Sequence, residues 1–482
     1  MSAERPRWLP RLSSLIALMA LVCVSCAVLP AREPAPAPAS KATVAAQITV
    51  HGAQGALSPI GEARVLAAVQ AEGRAEAMAH HLSLLASRGE ADLYRGNIAR
   101  LLVDGPATFA AMKAAITEAR ALVLLESYIF EDTGIAAEIG ELLARRAGEG
   151  LTVALIYDSV GSLGADPAFF ERLQKAGVAV CAFNPVNPLK RPGYWSIQQR
   201  DHRKVLVADN AVAFTGGINI SQVYSAGSSG AGSSGSGSSR SFGSGRSDED
   251  KLKSGWRDTQ IELRGPVVGA FARAFRGTWQ SQGCPGELPE APAALNATPG
   301  TRVVQLLASE PKDGDSRIYK AIIGAIDGAQ QSVHLTMAYF APGPDMIKAL
   351  RDAARRGVDV VLILPSRSDF TLMLHAGRSY YQQLFEAGVH ISEMEHAVLH
   401  AKAAVIDGVF STVGSSNLDW RSFVDNTEIN AIVLGDDFGQ EMQALFERDL
   451  AASVPVDRAR WAERGIKPRM LEMIGRVAER WL

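Results

Sequence analysis

Continuous apolar runs alternate with amphipathic segments along most of this chain, and the alternation occurs twice. Leu142–Ser159 (LLARRAGEGLTVALIYDS) and Leu350–Ser366 (LRDAARRGVDVVLILPS) each read as a helix with a basic end, a glycine-centred stop and an apolar strand. Phe170–Val180 then matches Tyr381–Ile391, and Asp201–Ile220 matches Leu399–Leu418. Upstream of these, Ala121–Phe130 corresponds to Ser332–Phe340. Strands alternating with helices predict an α/β fold of βαβ-rich halves with a largely parallel sheet. The repeat predicts two such halves, 93–284 and 301–456, packed about a pseudo-two-fold axis and joined by a linker over 285–300.

The halves differ by insertion. The first carries an extra basic and aromatic stretch within Asn184–Arg200, containing Lys190, Arg191, Tyr194, Trp195 and Arg200. It reads either as a surface loop or as a lip touching lipid headgroups, where aromatic rings and cations are favoured. A Gly/Ser-rich insert over 226–247 has no folding drive. The C-terminal helix over 457–482 is amphipathic with clustered Arg and Lys, and is expected to pack against the domain rather than on a membrane.

The N-terminus breaks the pattern. Arg5, Arg7 and Arg11 precede an uncharged apolar run, Leu12–Leu29, so 1–29 reads as a secretory signal or a membrane anchor. Ser25-Cys26 is like the end of a bacterial lipoprotein signal, and a Pro/Ala-rich tether leads into a helical segment ending at 92. The placement of the arginines puts the bulk of the chain outside the cytoplasm, attached to the membrane and facing the periplasm. Two cysteines beyond this segment, Cys181 and Cys284, make no disulfide framework or zinc pattern and read as core or incidental residues, with their pairing left open by the sequence. With a formal net charge of −2 over 482 residues, a broad nucleic-acid grip is disfavoured. No Gly-x-Gly-x-x-Gly or P-loop pattern is present, which disfavours nucleotide binding.

The chemistry concentrates where the repeat is closest. DHRKVLVAD contains His202, Lys204 and Asp209; the second half repeats the order with His400, Lys402 and Asp407. Residues two apart on a strand share a face, so each histidine and lysine point together while Val205 and Val207 enter the core. Gly217 and Asn219 follow the first cluster, and Ser415 and Asn417 follow the second. These residue types suit displacement at a phosphodiester. Lysine and amide donors offset charge on the non-bridging oxygens, one imidazole attacks phosphorus, and the other moves protons. No metal or other cofactor is needed. Asp209 and Asp407 complete the clusters and read as fixing the turn at the strand end.

From about Tyr94 onward the sequence resembles the phospholipase D superfamily, and within it the bacterial cardiolipin synthases. The resemblance is carried by LYRGNIARLLVD (93–104), ESYIF (126–130), WRDTQIELRGP (256–266) and NLDWRSFVDNTEIN (417–430). It implies a metal-free, two-step phosphatidyl transfer. His202 would be the nucleophile, His400 the general acid/base, and Lys204, Lys402, Asn219 and Asn417 the phosphate holders. It also implies that Glu428 orients His202 and Asp258 orients His400, each across the halves. The implied partner is an anionic phospholipid, phosphatidylglycerol, with one chain sufficient for the site. A hydrolytic phospholipase D is the alternative, followed by a nuclease and a non-catalytic lipid-binding envelope protein.

Overall fold

The structure, a computed structural model, describes residues 47–71, 74–87, 92–186, 198–228, 255–289, 299–310 and 316–481. The N-terminal apolar run, the Pro/Ala tether, the aromatic part of the first insertion and most of the Gly/Ser insert and linker lie outside the described residues.

Each half is built on the same order of strands. Across the first half they run Ala179–Phe183, Thr152–Asp158, Leu122–Ser127, Lys204–Ala208, Val212–Gly216, Thr259–Arg264 and Asp92–Val103. In the second they run His390–Met394, Asp359–Pro365, Ser332–Met337, Lys402–Ile406, Phe410–Gly414, Glu428–Leu434 and Arg302–Ser309. Asp92–Val103 and Arg302–Ser309 then pair antiparallel, with Leu93 opposite Gln305 and Tyr94 opposite Val304, joining the halves at the pseudo-two-fold.

A largely parallel sheet does not form. Within the seven-strand order of each half, only the strands joined by helical crossovers run parallel, as Leu122–Ser127, Thr152–Asp158 and Ala179–Phe183 do in the first. Lys204–Ala208 and Val212–Gly216 are joined by a tight turn at Asp209 and Asn210, with φ of 52° and 53°, and so must be antiparallel. Asp407 and Gly408, at 52° and 65°, make the same turn in the second half.

Alternation along the strands divides the core into layers. Val205, Val207 and Ile261 meet Val405, Ile429 and Val433 in a core shared by both halves. Residues of opposite parity, such as Leu125 and Leu206, face the helices Asp104–Glu118, Ile135–Gly148 and Pro167–Lys175 through Phe109, Leu143 and Phe169. The N-terminal helices Pro59–Ala71 and Ala75–Ser87 join the outer core of the second half, where Val65, Met78 and Leu82 pack with Ile322 and Ile326.

The reading of Cys181 and Cys284 as incidental fails, because they form a disulfide with Cα atoms 5.5 Å apart. Their 103-residue separation kept the pairing out of view in the sequence. The expected C-terminal helix is broken into Arg458–Ala462 and Ile466–Ala478, with Gly465 capping the second.

Candidate active site

Each histidine is clamped twice by the opposite half. The His202 backbone N–H donates to Thr427 O at 2.9 Å, and the next residue, Glu428, receives its ring. His202 Nδ1 lies 3.0 and 3.2 Å from the two Glu428 carboxylate oxygens. In the mirrored arrangement, the His400 N–H donates to Arg257 O at 2.8 Å, and His400 Nδ1 lies 2.7 Å from Asp258 Oδ2. A carboxylate on Nδ1 fixes the tautomer, with the proton there and a lone pair on Nε2. Both imidazoles line one pocket of about 370 Å³.

The clamps are supported from beneath. Ser415 Oγ donates to Glu428, and a Cβ at Gly217 would sit 2.2 Å from Asp258 Oδ1. Serine reinforces one carboxylate, while glycine makes room for the other. Gly217 and Ser415, which follow the two clusters and were grouped with the substrate-binding residues, thus stand beside the carboxylates rather than on the pocket wall.

Burial dominates the electrostatics. It pushes the His202 imidazole down to about 4, with Lys204 adding to the effect and Glu428 opposing it. It also lowers His400, helped by Lys402 and opposed by Asp258. Burial brings Lys204 down to about 7 and Lys402 to about 8. Burial alone would raise Glu428, yet the charge and hydrogen bond of His202 hold its carboxyl below the usual range. Lys402 Nζ stands 2.9 and 3.1 Å from the two ring nitrogens of His400, while Lys204 Nζ lies 5.3 Å from the centre of the Tyr128 ring.

Asn219 and Asn417 both reach the pocket wall. Asn219 Oδ1 accepts from Ile129 N and its Nδ2 donates to Tyr224 Oη at 3.2 Å. Tyr224 Oη also stands 3.1 Å from His400 Nδ1, beside Trp256. Sequence reading missed Tyr224, Tyr128, Tyr339 and Arg421, which form part of the wall. Tyr128 and Arg421 fall inside family-like stretches, which was the available signal; Tyr224 borders the low-complexity insert and had none.

Asp209 and Asp407, members of the two clusters, stand apart from this pocket and take the turn-fixing place expected of them. The Asp209 carboxylate accepts the N–H groups of Arg120, Ala121 and Leu122 at 2.6–2.8 Å. Asp407 does the same for Gln330, Gln331 and Ser332, and meets the buried His81 at 3.0 Å. Both hold the turn at the far end of the strand. Arg200 is likewise no exposed lip residue. It is buried against Asp158 at 3.5 Å, with only part of it reaching the pocket.

Comparison with known proteins gives this geometry a family. The chain is 32% identical over 383 residues to a cardiolipin synthase of Geobacillus thermodenitrificans, covering 78% of this chain and 71% of that protein. The chain belongs to the cardiolipin synthase family. Residues 322–450 match the family model described as "Cardiolipin synthase, PLD-like domain". A cardiolipin synthase of Halalkalibacterium halodurans is 34% identical over 69% of this chain and 62% of its own length. Among solved structures, phosphatidylserine synthase of Haemophilus influenzae Rd KW20 shares the fold, with a TM-score of 0.57 at 12% identity over 80% of this chain and 95% of that one. The cardiolipin synthase-like chain is thus an enzyme of the phospholipase D superfamily, and its fold is the phospholipase D fold.

Proposed function

We propose that this enzyme transfers a phosphatidyl group from one phosphatidylglycerol to another, forming cardiolipin and releasing glycerol. The observation that carries the reading is the pair of clamped imidazoles on the wall of one pocket beside Asn219 and Asn417, with the buried Lys402 amine against the His400 ring and that of Lys204 at the His202 carbonyl. In the first step, His202 Nε2 attacks phosphorus. The bond to the departing glycerol oxygen breaks, and His400, in its protonated form, supplies the proton. In the second step, neutral His400 takes the proton from the hydroxyl of the second phosphatidylglycerol. That oxygen displaces His202 from phosphorus, regenerating both imidazoles. Lys204, Lys402, Asn219 and Asn417 hold the non-bridging oxygens.

Burial favours the neutral form of both imidazoles in the absence of substrate, and a neutral imidazole is the competent nucleophile. An arriving phosphodiester anion favours the charged form of the second imidazole, which then serves as the acid. The choice of His202 as nucleophile rests on the family resemblance. Arg421, on the pocket wall outside both clusters, offers a cation to the phosphate of the acceptor.

Purified protein given phosphatidylglycerol should yield cardiolipin and free glycerol in equal amounts; phosphatidic acid as the sole lipid product makes it a hydrolase instead. His202→Ala and His400→Ala should each abolish turnover with the fold intact. Rapid acid quench should trap phosphate on His202, and phosphate on His400 would reverse the roles. The disulfide supports a location on the oxidising, periplasmic side of the membrane, with residues 1–29 as signal or anchor.

A further inference from the structure

The helix Ile466–Ala478 presents its apolar side to solvent. Ile466, Met470, Met473, Ile474 and Val477 are 78%, 53%, 60%, 49% and 69% exposed. At 3.6 residues per turn these five form one stripe roughly 100° wide. Exposed cations border it, Arg469 and Arg476 along one edge and Lys467 along the other. The only acid on the helix, Glu472, is buried and bound to Arg464 at 2.7 and 2.9 Å. The stripe therefore carries no negative charge.

The outward orientation is fixed rather than incidental. A Cβ at Gly475 would lie 2.5 Å from Ala376 N, so only this face fits against the helix Thr371–Arg378. Just beyond it, Glu479 accepts from Gly343 N at 3.0 Å and from the Tyr380 hydroxyl. The supporting helix starts at the pocket, where Phe370 and Met373 form part of the wall. Phe370 is itself 37% exposed. Leu163, on the loop that brings Val160 and Gly161 to the pocket, is 78% exposed. Bare apolar side chains thus extend from the pocket rim to a helix mounted on its wall.

We infer that this stripe docks on an anionic lipid surface. The helix lies in the plane of the leaflet with its five apolar side chains among the acyl chains and Lys467, Arg469 and Arg476 among the headgroups. Charge complementarity selects this occupant. A second copy seated on the stripe by two-fold symmetry would bring the same cations face to face. The inference takes from the proposed function only that the substrate is a bilayer lipid, and its test reads insertion separately from turnover.

The full chain is reconstituted in vesicles of phosphatidylcholine, with or without phosphatidylglycerol, containing a lipid with a photoactivatable diazirine in its acyl chain. Adducts are mapped by mass spectrometry. Label is expected on the 466–478 peptide, at least about tenfold stronger with the anionic lipid, given roughly 1 kcal/mol per basic residue near the surface. Met470→Glu with Met473→Glu should remove that label and cut turnover of vesicle substrate about tenfold, while turnover of monomeric short-chain phosphatidylglycerol is unchanged. Label confined to the N-terminal segment, equal label in neutral vesicles, cross-links between helices of two copies, or equal loss on the short-chain substrate would each overturn the docking surface. Label on the helix without turnover of any lipid would leave docking standing and sink the proposed reaction.

Discussion

Lys204 and Lys402 share one enclosed site with two imidazoles, and the balance of proton affinities there makes anion binding pH-dependent. With Lys204 near 7 and Lys402 near 8, the empty site loses positive charge between neutral and mildly alkaline pH. A bound anion favours the protonated lysines. Binding should therefore take up protons at pH 7–8 and weaken as pH rises above 8. Calorimetry with inorganic tungstate, which does not itself titrate at pH 7–8, in buffers of different ionisation heat reads this; zero proton uptake across that range would show that the lysines stay charged. Gly217 and Ser415 should respond differently to substitution. Gly217→Ala drives a methyl group into the Asp258 carboxylate and should cost about 10²-fold in kcat, within the range for general acid–base catalysis. Ser415→Ala removes the hydrogen bond to Glu428 and the one accepted from Ile429 N, and should cost about 2 kcal/mol of stability with a smaller effect on turnover. Steady-state kinetics and urea unfolding of both variants separate the two outcomes. The pairing of His202 with Lys204 was legible from their two-residue spacing, although His202 precedes the strand Lys204–Ala208 instead of sharing a face of it. The Tyr224 contact with His400 was not, since it joins residues 176 positions apart and no local pattern encodes it.

At the scale of the element, the turn aspartates explain why the clusters extend beyond histidine and lysine. Asp209 stands in a left-handed conformation and collects three backbone N–H groups from the start of the Leu122–Ser127 strand. It anchors the far end of the strand that presents His202. Asp209→Ala should lower stability by about 1.5–3 kcal/mol, the scale of hydrogen bonds to a charged group, while the folded fraction keeps its kcat. Thermal unfolding combined with active-site titration checks this, and lost kcat at unchanged stability would return Asp209 to the chemistry. Helices and strands were readable from apolar periodicity because each half buries them in the same way. Strand direction was not, because a continuous apolar run looks alike in parallel and antiparallel neighbours. The final helix shows the same limit. Its amphipathic period was visible, but the Gly475 contact with Ala376 decides which face turns inward, and that partner lies far off in sequence; Glu472 adds a bond to the nearby Arg464.

At the scale of the molecule, the disulfide ties the edge strand Ala179–Phe183 to the segment after helix Val268–Ser281, closing a loop of 103 residues. A disulfide typically contributes about 2–4 kcal/mol, so Cys181→Ser should lower the midpoint of unfolding under oxidising conditions and have no effect under reducing ones. Equal midpoints under oxidising conditions would mean that the bond adds nothing to stability. The crossed clamps have a wider consequence. Each histidine takes both its backbone partner and its carboxylate from the other half, so neither half contains a finished site. Activity is then a coincidence detector for folding. A chain with one half misdocked, or caught midway through assembly at the membrane, is chemically silent. A protein able to break phospholipids is thereby kept from doing so until its whole architecture is in place.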